Sequence, residues 1–244
     1  MPRACIARFA RLHGYGRAAA RQTGKRGVFD PMEEAELQQT KELGLTGTGS
    51  IHCLTIIGQV EGHQQLESEV KTTRYEHVMP LLAAIEETPE IHGVLLLLNT
   101  VGGDVDAGLG IAELIAGLTK PVASLILGGG HSIGVPLAIA AGRSFIAPSA
   151  AVTLHPVRVN GVVLGAPQTY RYFEQMQERV VGFITAHSRI GRDKLLEYMM
   201  ATDALATDLG TVITGEEAVR CGLIDQLGSL RDALAWLHRE IEKC

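Results

Sequence analysis

The stretch LGGGHSIG, residues 127–134, sets Ser132 behind three glycines and a histidine and just ahead of an apolar run. Twenty-three positions later TLHPVR presents His155, which Pro156 restricts to extended backbone. A hydroxyl displayed at a strand-to-helix corner and an imidazole fixed at a strand end are the nucleophile and general base that acyl transfer requires. A helix opening at Ser132 would also favour an anion through its dipole and free N–H groups. In NTVGGDVDAG, residues 99–108, Gly102 and Gly103 permit positive φ and a close backbone approach, so an N–H there can face a substrate oxygen. Each feature also has a plain structural reading. Ser132 can be a helix N-cap, and a glycine pair after a strand is common turn material. His131 cannot readily swing round to its neighbour's hydroxyl and reads as a packing or pocket-lining residue. His52, His63, His77, His92 and His187 have no paired carboxylate spacing and read as solvated or satisfied.

These residues must be positioned by alternating elements. IHCLTIIGQV, residues 51–60, reads as a strand from its β-branched content, and YEHVMPLLAAIEET carries a helical pattern. VLLLLNTVGG is apolar without alternation, as expected for a parallel strand covered on both faces. VDAGLGIAELIAGLT then reads as a helix, PVASLILGG as a second buried strand, HSIGVPLAIAAG as a helix, and SFIAPSAAVTLHPV as short strands ending at His155. The pattern predicts an α/β fold of stacked units in one domain, and both glycine sites fall where a buried strand ends, the edge at which such layers bind ligands.

At 244 residues and 46% hydrophobic content the chain has ample core for one large domain. A net charge of −5 with five Phe, five Tyr and one Trp gives no sign of nucleic-acid binding. Cys5, Cys53, Cys221 and Cys244 are scattered without CxxC spacing, so no metal site or disulfide framework is expected and the thiols read as reduced, in a cytoplasmic protein. No apolar run is long enough for a transmembrane helix, and no cofactor motif is present. Residues 1–27 carry Arg3, Arg8, Arg11, Arg17, Arg21, Lys25 and Arg26 with no acid, and residues 29–44 reverse that balance. Residues 1–50 are therefore expected to be a flexible N-terminal extension, with the folded body at 51–244.

The order of motifs, with a glycine pair after a buried strand, a serine at a glycine-rich corner, a histidine before proline and the tail EEAVRCGLIDQLGSL, resembles the ClpP family of serine peptidases from about Ile51 to Leu230. GGGHSIG in place of an alanine-rich corner, with the Arg-rich extension, resembles the translocation-enhancing branch. The resemblance implies the ClpP/crotonase-like fold of stacked ββα units with a protruding handle helix. It also implies Ser132 as nucleophile, His155 as general base, and an oxyanion site at the N–H groups of Gly103 and Ile133, with Gly102 shaping the turn. Further implications are a peptide or protein substrate, a homo-oligomer of seven-membered rings, and an ATPase unfoldase or translocation machinery as partner.

The third triad member departs from the family's pattern. Counting back without gaps from EEAVRCGLID places Gly210 where the family has its acid, and Asp208 is the nearest carboxylate, with Asp203 a second. Activity is expected to be low if no carboxylate orients the imidazole. Residues 165–199 read as a long helix from Thr169 to about Ser188 with Phe173, Met176, Val180, Phe183 and Ile184 at helical spacing, which the resemblance implies is the handle. Two other readings fit parts of the pattern: an inactive ClpP-like scaffold, from Gly210, and a crotonase-type acyl-CoA enzyme, from the glycine pair alone. Lys120 stands one residue before the strand that precedes Ser132 and is expected at the opposite sheet edge, which disfavours a serine–lysine dyad.

Overall fold

The computed structural model describes residues 49–158, 165–202 and 210–244. The expected extension at 1–50 falls almost wholly outside them. Strand β1 (Ile51–Glu61), strand β2 (Thr72–Arg74) and helix α1 (Tyr75–Glu87) open the fold. Strand β3 (Gly93–Gly103), helix α2 (Val105–Ala116), strand β4 (Val122–Gly130) and helix α3 (Gly134–Ile139) follow. Strands β5 (Arg143–Ile146) and β6 (Ala151–Leu154) precede helices α4 (Ala166–His187) and α5 (Arg192–Met199). Strand β7 (Thr211–Thr214), helix α6 (Gly215–Arg220), strand β8 (Gln226–Leu227) and helix α7 (Leu230–Ile241) close it. The sheet runs β2-β1-β3-β4-β5-β8 with all of these pairs parallel.

Leu95–Leu98 show why no alternation was visible in the central strands. Leu96 and Leu98 lie in the main core with Ile111, Ile115 and Leu137. Leu95 faces the other way, into a second cluster with Leu125, Phe145 and Leu237, where α7 covers the sheet. With helices on both faces, Leu95, Leu96 and Leu98 are buried and Leu97 is partly so. Helix α7 covers only part of its face, and Ile57, Val101 and Leu127 are 48%, 65% and 45% exposed.

The register between β3 and β4 breaks where the chemistry was expected. Leu98 pairs with Ile126, but Thr100 pairs with Gly130, so β4 spends two extra residues over this span. The bulge passes through Gly128 at φ +130, where a side chain would be strained and its Cβ would lie 2.8 Å from Asn99 Oδ1. The same Asn99 Oδ1 accepts the Gly129 N–H at 3.1 Å. Gly129 instead aligns with Ala151 of β6, and β6 pairs antiparallel with β7. The bulge therefore turns the end of β4 out of the main sheet and towards β6.

Helix α4 is longer at its N-terminus than the periodicity suggested, and most of its first ten residues are exposed. Its C-terminal half packs through Met176, Val180, Phe183 and Ile184, as expected from their spacing. Helix α3 is shorter than the predicted span at both ends: the residues at 131–133 form the corner rather than its first turn, and 140–142 turn into β5.

The tail motif has a physical role in this fold. Asp225 accepts the Ser144 N–H at 2.9 Å and the Ser144 hydroxyl at 3.0 Å, and pairs with Arg189. Burial, the largest influence, acts to raise the Asp225 carboxyl. The Ser144 N–H, Arg189, the Ser144 hydroxyl and the charge of Arg143 outweigh it and hold the carboxyl below its ordinary value. A depressed folded value means that Asp225 contributes stability in full above an unfolded pKa of about 3.9, lost as pH falls through the lower folded value. Asp225→Asn is expected to lower stability at neutral pH and to flatten the acid limb below about pH 4, as read by urea unfolding across a pH series.

Candidate active site

Ser132 occupies the corner between β4 and α3 at φ +56. Positive φ is costly for a residue with a Cβ, by about 1–3 kcal/mol, and persists only where neighbours hold it. The Ser132 N–H donates to Thr153 O at 2.9 Å, and the His131 N–H donates to Thr100 O at 3.1 Å. The His131 ring joins the Thr153 hydroxyl at 2.7 Å through Nδ1, and burial pushes its imidazole towards the neutral form. His131 is thus a packing residue that ties the corner to β6, as the sequence suggested.

The glycine pair abuts the same corner. Gly102 adopts φ +91, and a Cβ there would lie 2.7 Å from Ser132 Cβ. A Cβ on Gly103 would lie 2.1 Å from Val60 O, inside the β1 backbone. Neither position can carry a side chain without moving the corner or the sheet. Helix α2 follows directly, its N-terminus capped by Asp104, which accepts the Ala107 N–H at 2.8 Å. Ile133 is buried against α2, where Gly108 leaves room for its side chain. The Ile133 N–H has no acceptor among the described residues.

The glycines at 128–130 act differently from Gly102 and Gly103. Side chains there would meet Asn99, the His131 ring and Ile126 respectively. Their absence lets the strand bulge and the His131 ring pack, which shapes the corner from behind rather than clearing space in front of Ser132.

His155 follows β6 and shares one cleft of about 110 Å³ with Ser132, Ile133 and Gly103, walled by Val180 and Met199. The two candidate residues line the same space, and catalytic hydrogen bonds commonly tighten only when substrate binds. His155 Nδ1 lies 2.6 Å from Pro156 O. A carbonyl only accepts, so Nδ1 is the donor and the neutral ring keeps its lone pair on Nε2.

Gly210 sits beside His155, at φ +125, and a Cβ there would lie 2.5 Å from Leu154 O and 2.7 Å from His155 Cβ. The ungapped position of the family's acid therefore has no room for any side chain. Asp208 and Asp203 lie outside the described residues. Lys120, just before β4, caps the C-terminus of α1 by donating from Nζ to Ile85 O and Thr88 O, both at 2.5 Å, with all of β4 between it and Ser132. Among the described residues no group of three His, Cys, Asp or Glu is arranged to hold a metal ion. No helix among them is long and apolar enough to cross a membrane.

Thr100 was not singled out by sequence. It is 1% exposed, its hydroxyl donates to Gly58 O at 2.6 Å and accepts the Gly102 N–H at 3.0 Å. With its carbonyl on the His131 N–H, it joins β1, the glycine pair and the serine corner. A buried threonine inside an apolar strand was the available signal, because a hydroxyl there must find partners. Thr100→Val keeps the shape but leaves the Gly102 N–H and Gly58 O short of a partner. It is expected to cost about 1–3 kcal/mol in denaturant unfolding. The amide resonances of Gly102 and Ser132 should shift with it.

The Clp protease family model matches residues 49–231. Translocation-enhancing protein TepA of Halalkalibacterium halodurans is 48% identical over 223 residues, covering 88% of this chain and 87% of that one. ATP-dependent Clp protease proteolytic subunit 1 of Protochlamydia amoebophila is 30% identical over 138 residues, 55% of this chain and 64% of that protein. Its counterpart in Chlamydia abortus is 26% identical over 138 residues, 54% and 68% of the two chains. With the matched region spanning every element that builds the cleft, this chain belongs to the Clp protease family.

Proposed function

We propose that this chain is a serine endopeptidase that hydrolyses peptide bonds in peptides or pre-secretory substrates. The observation that carries the reading is the strained Ser132 corner opening into one cleft with His155, whose donating Nδ1 leaves Nε2 as the base. Ser132 Oγ attacks the scissile carbonyl and its proton passes to His155 Nε2. The N–H groups of Gly103 and Ile133 take up the oxyanion, with Gly102 holding the turn. Collapse expels the amine, which takes the proton from His155. Water then hydrolyses the acyl–Ser132 ester with the same base. Asp208 is proposed to support the imidazolium through its charge.

The uncovered sheet face around Ile57, Val101 and Leu127 and the exposed start of α4 support a homo-oligomer, for which we propose seven-membered rings. We propose an ATPase unfoldase or a translocation machinery as partner, in the cytoplasm; the words ATP-dependent and translocation-enhancing in the relatives' names support such a partner. One observation favours a second reading, an inactive scaffold of the same fold: the backbone fills the position at Gly210 where the family has its acid. The acyl-CoA alternative has no such support, since Ser132 and His155 meet in one cleft.

Labelling the full chain with a fluorophosphonate and mapping the adduct separates these readings. An adduct on Ser132, absent in Ser132→Ala and reduced at least about tenfold in His155→Gln, is the expected result. A fall in rate in Asp208→Asn would assign that carboxylate its electrostatic part. A folded, assembled protein that takes no label overturns the peptidase reading in favour of the scaffold.

A further inference from the structure

The peptide unit that receives the His155 proton donor is itself held by the handle. Its carbonyl, Pro156 O, accepts from His155 Nδ1 at 2.6 Å. Its N–H, on Val157, donates to Gln177 Oε1 at 2.8 Å. Gln177 lies in α4, and its amide is oriented in turn by Nε2 donating to Met199 Sδ at 3.6 Å. A planar peptide bonded at both ends has its orientation fixed, because rotating it to free one bond breaks the other. The bond to the N–H also polarises the unit and makes its carbonyl a better acceptor.

We infer that Gln177 is a positioning residue for His155: through the Pro156–Val157 peptide it holds the imidazole in the tautomer with the proton on Nδ1 and the lone pair on Nε2. The inference deepens the proposed function, resting on His155 as the base of that site. It places the orienting acceptor on the main chain, next to the backbone that fills the Gly210 position, and it makes the inner half of α4 part of the site's support. No side chain was needed at position 210 for the ring to find an acceptor.

The test reads the ring directly. The full chain is labelled with ¹⁵N-histidine, and the His155 signal is identified by its loss in His155→Gln. Above its titration range the wild type should show the proton on Nδ1, and Gln177→Leu should show a mixture of tautomers. Gln177→Glu, which keeps an acceptor for the Val157 N–H, should restore the wild-type pattern. Asp208→Asn should retain the Nδ1 proton. On Ser132, phosphonylation should slow about tenfold in Gln177→Leu and recover largely in Gln177→Glu. A wild-type proton on Nε2, an unchanged tautomer in a folded Gln177→Leu, or its loss in Asp208→Asn would each overturn the inference. Should Gln177→Leu not fold, the wild-type and Asp208→Asn tautomers still decide it. Because tautomers are read whether or not Ser132 reacts, failure of the peptidase reading would appear separately, as absent labelling with an intact His155 signal.

Discussion

Where β3 and β4 part company, their backbone groups lose the ladder that satisfied them and must be paired some other way. Thr100 meets that constraint. Its carbonyl takes the His131 N–H, and its hydroxyl serves the Gly102 N–H and Gly58 O. Asn99, its neighbour, takes the Gly129 N–H on the bulge. Buried backbone groups without partners cost about 1–3 kcal/mol each, so the two residues make the departure from regular pairing tolerable. The serine corner, the glycine pair and the cleft depend on that departure.

Much of the fold was legible because its causes are local or periodic. The β-branched content of 51–60 and the apolar run at 94–98 predicted the central strands, and the spacing of Met176, Val180, Phe183 and Ile184 predicted the buried half of α4. Strands β2 and β7 were not legible. Each is three or four residues long and owes its existence to its pairing, β2 with the end of the preceding β1 and β7 with the distant β6. The shortening of α3 at its start has the same origin, since His131 and Ser132 are bound to β3 and β6 and are not available to a helix.

The site divides in the same way. Ser132, His155 and the glycine pair could be picked out because glycine and proline mark backbone geometry in the sequence itself. The left-handed conformation of Ser132 could not, as it is imposed by contacts with Thr153 and Gly102. Main-chain acceptors such as Pro156 O have no signature at all, because every residue owns a carbonyl. Gln177 is one glutamine among several on a polar helix surface until Val157 is seen to face it. The steric closure at Gly210 was half visible: the missing acid could be read, but the reason for it, the His155 backbone lying where a Cβ would go, is three-dimensional.

The bonds that shape the serine corner are long in sequence. Thr100 reaches Gly58 across 42 residues, Gly129 reaches Asn99 across 30, and His131 reaches Thr153 across 22. Contacts of that separation form only after the intervening loops have closed, and they form together with the sheet rather than ahead of it. A growing chain that has not yet supplied β6 has no Thr153 to hold Ser132 in its strained state. A form that lacks β6 therefore lacks the bond that offsets the cost of the left-handed corner, and the strained serine belongs to the assembled sheet rather than to the local sequence.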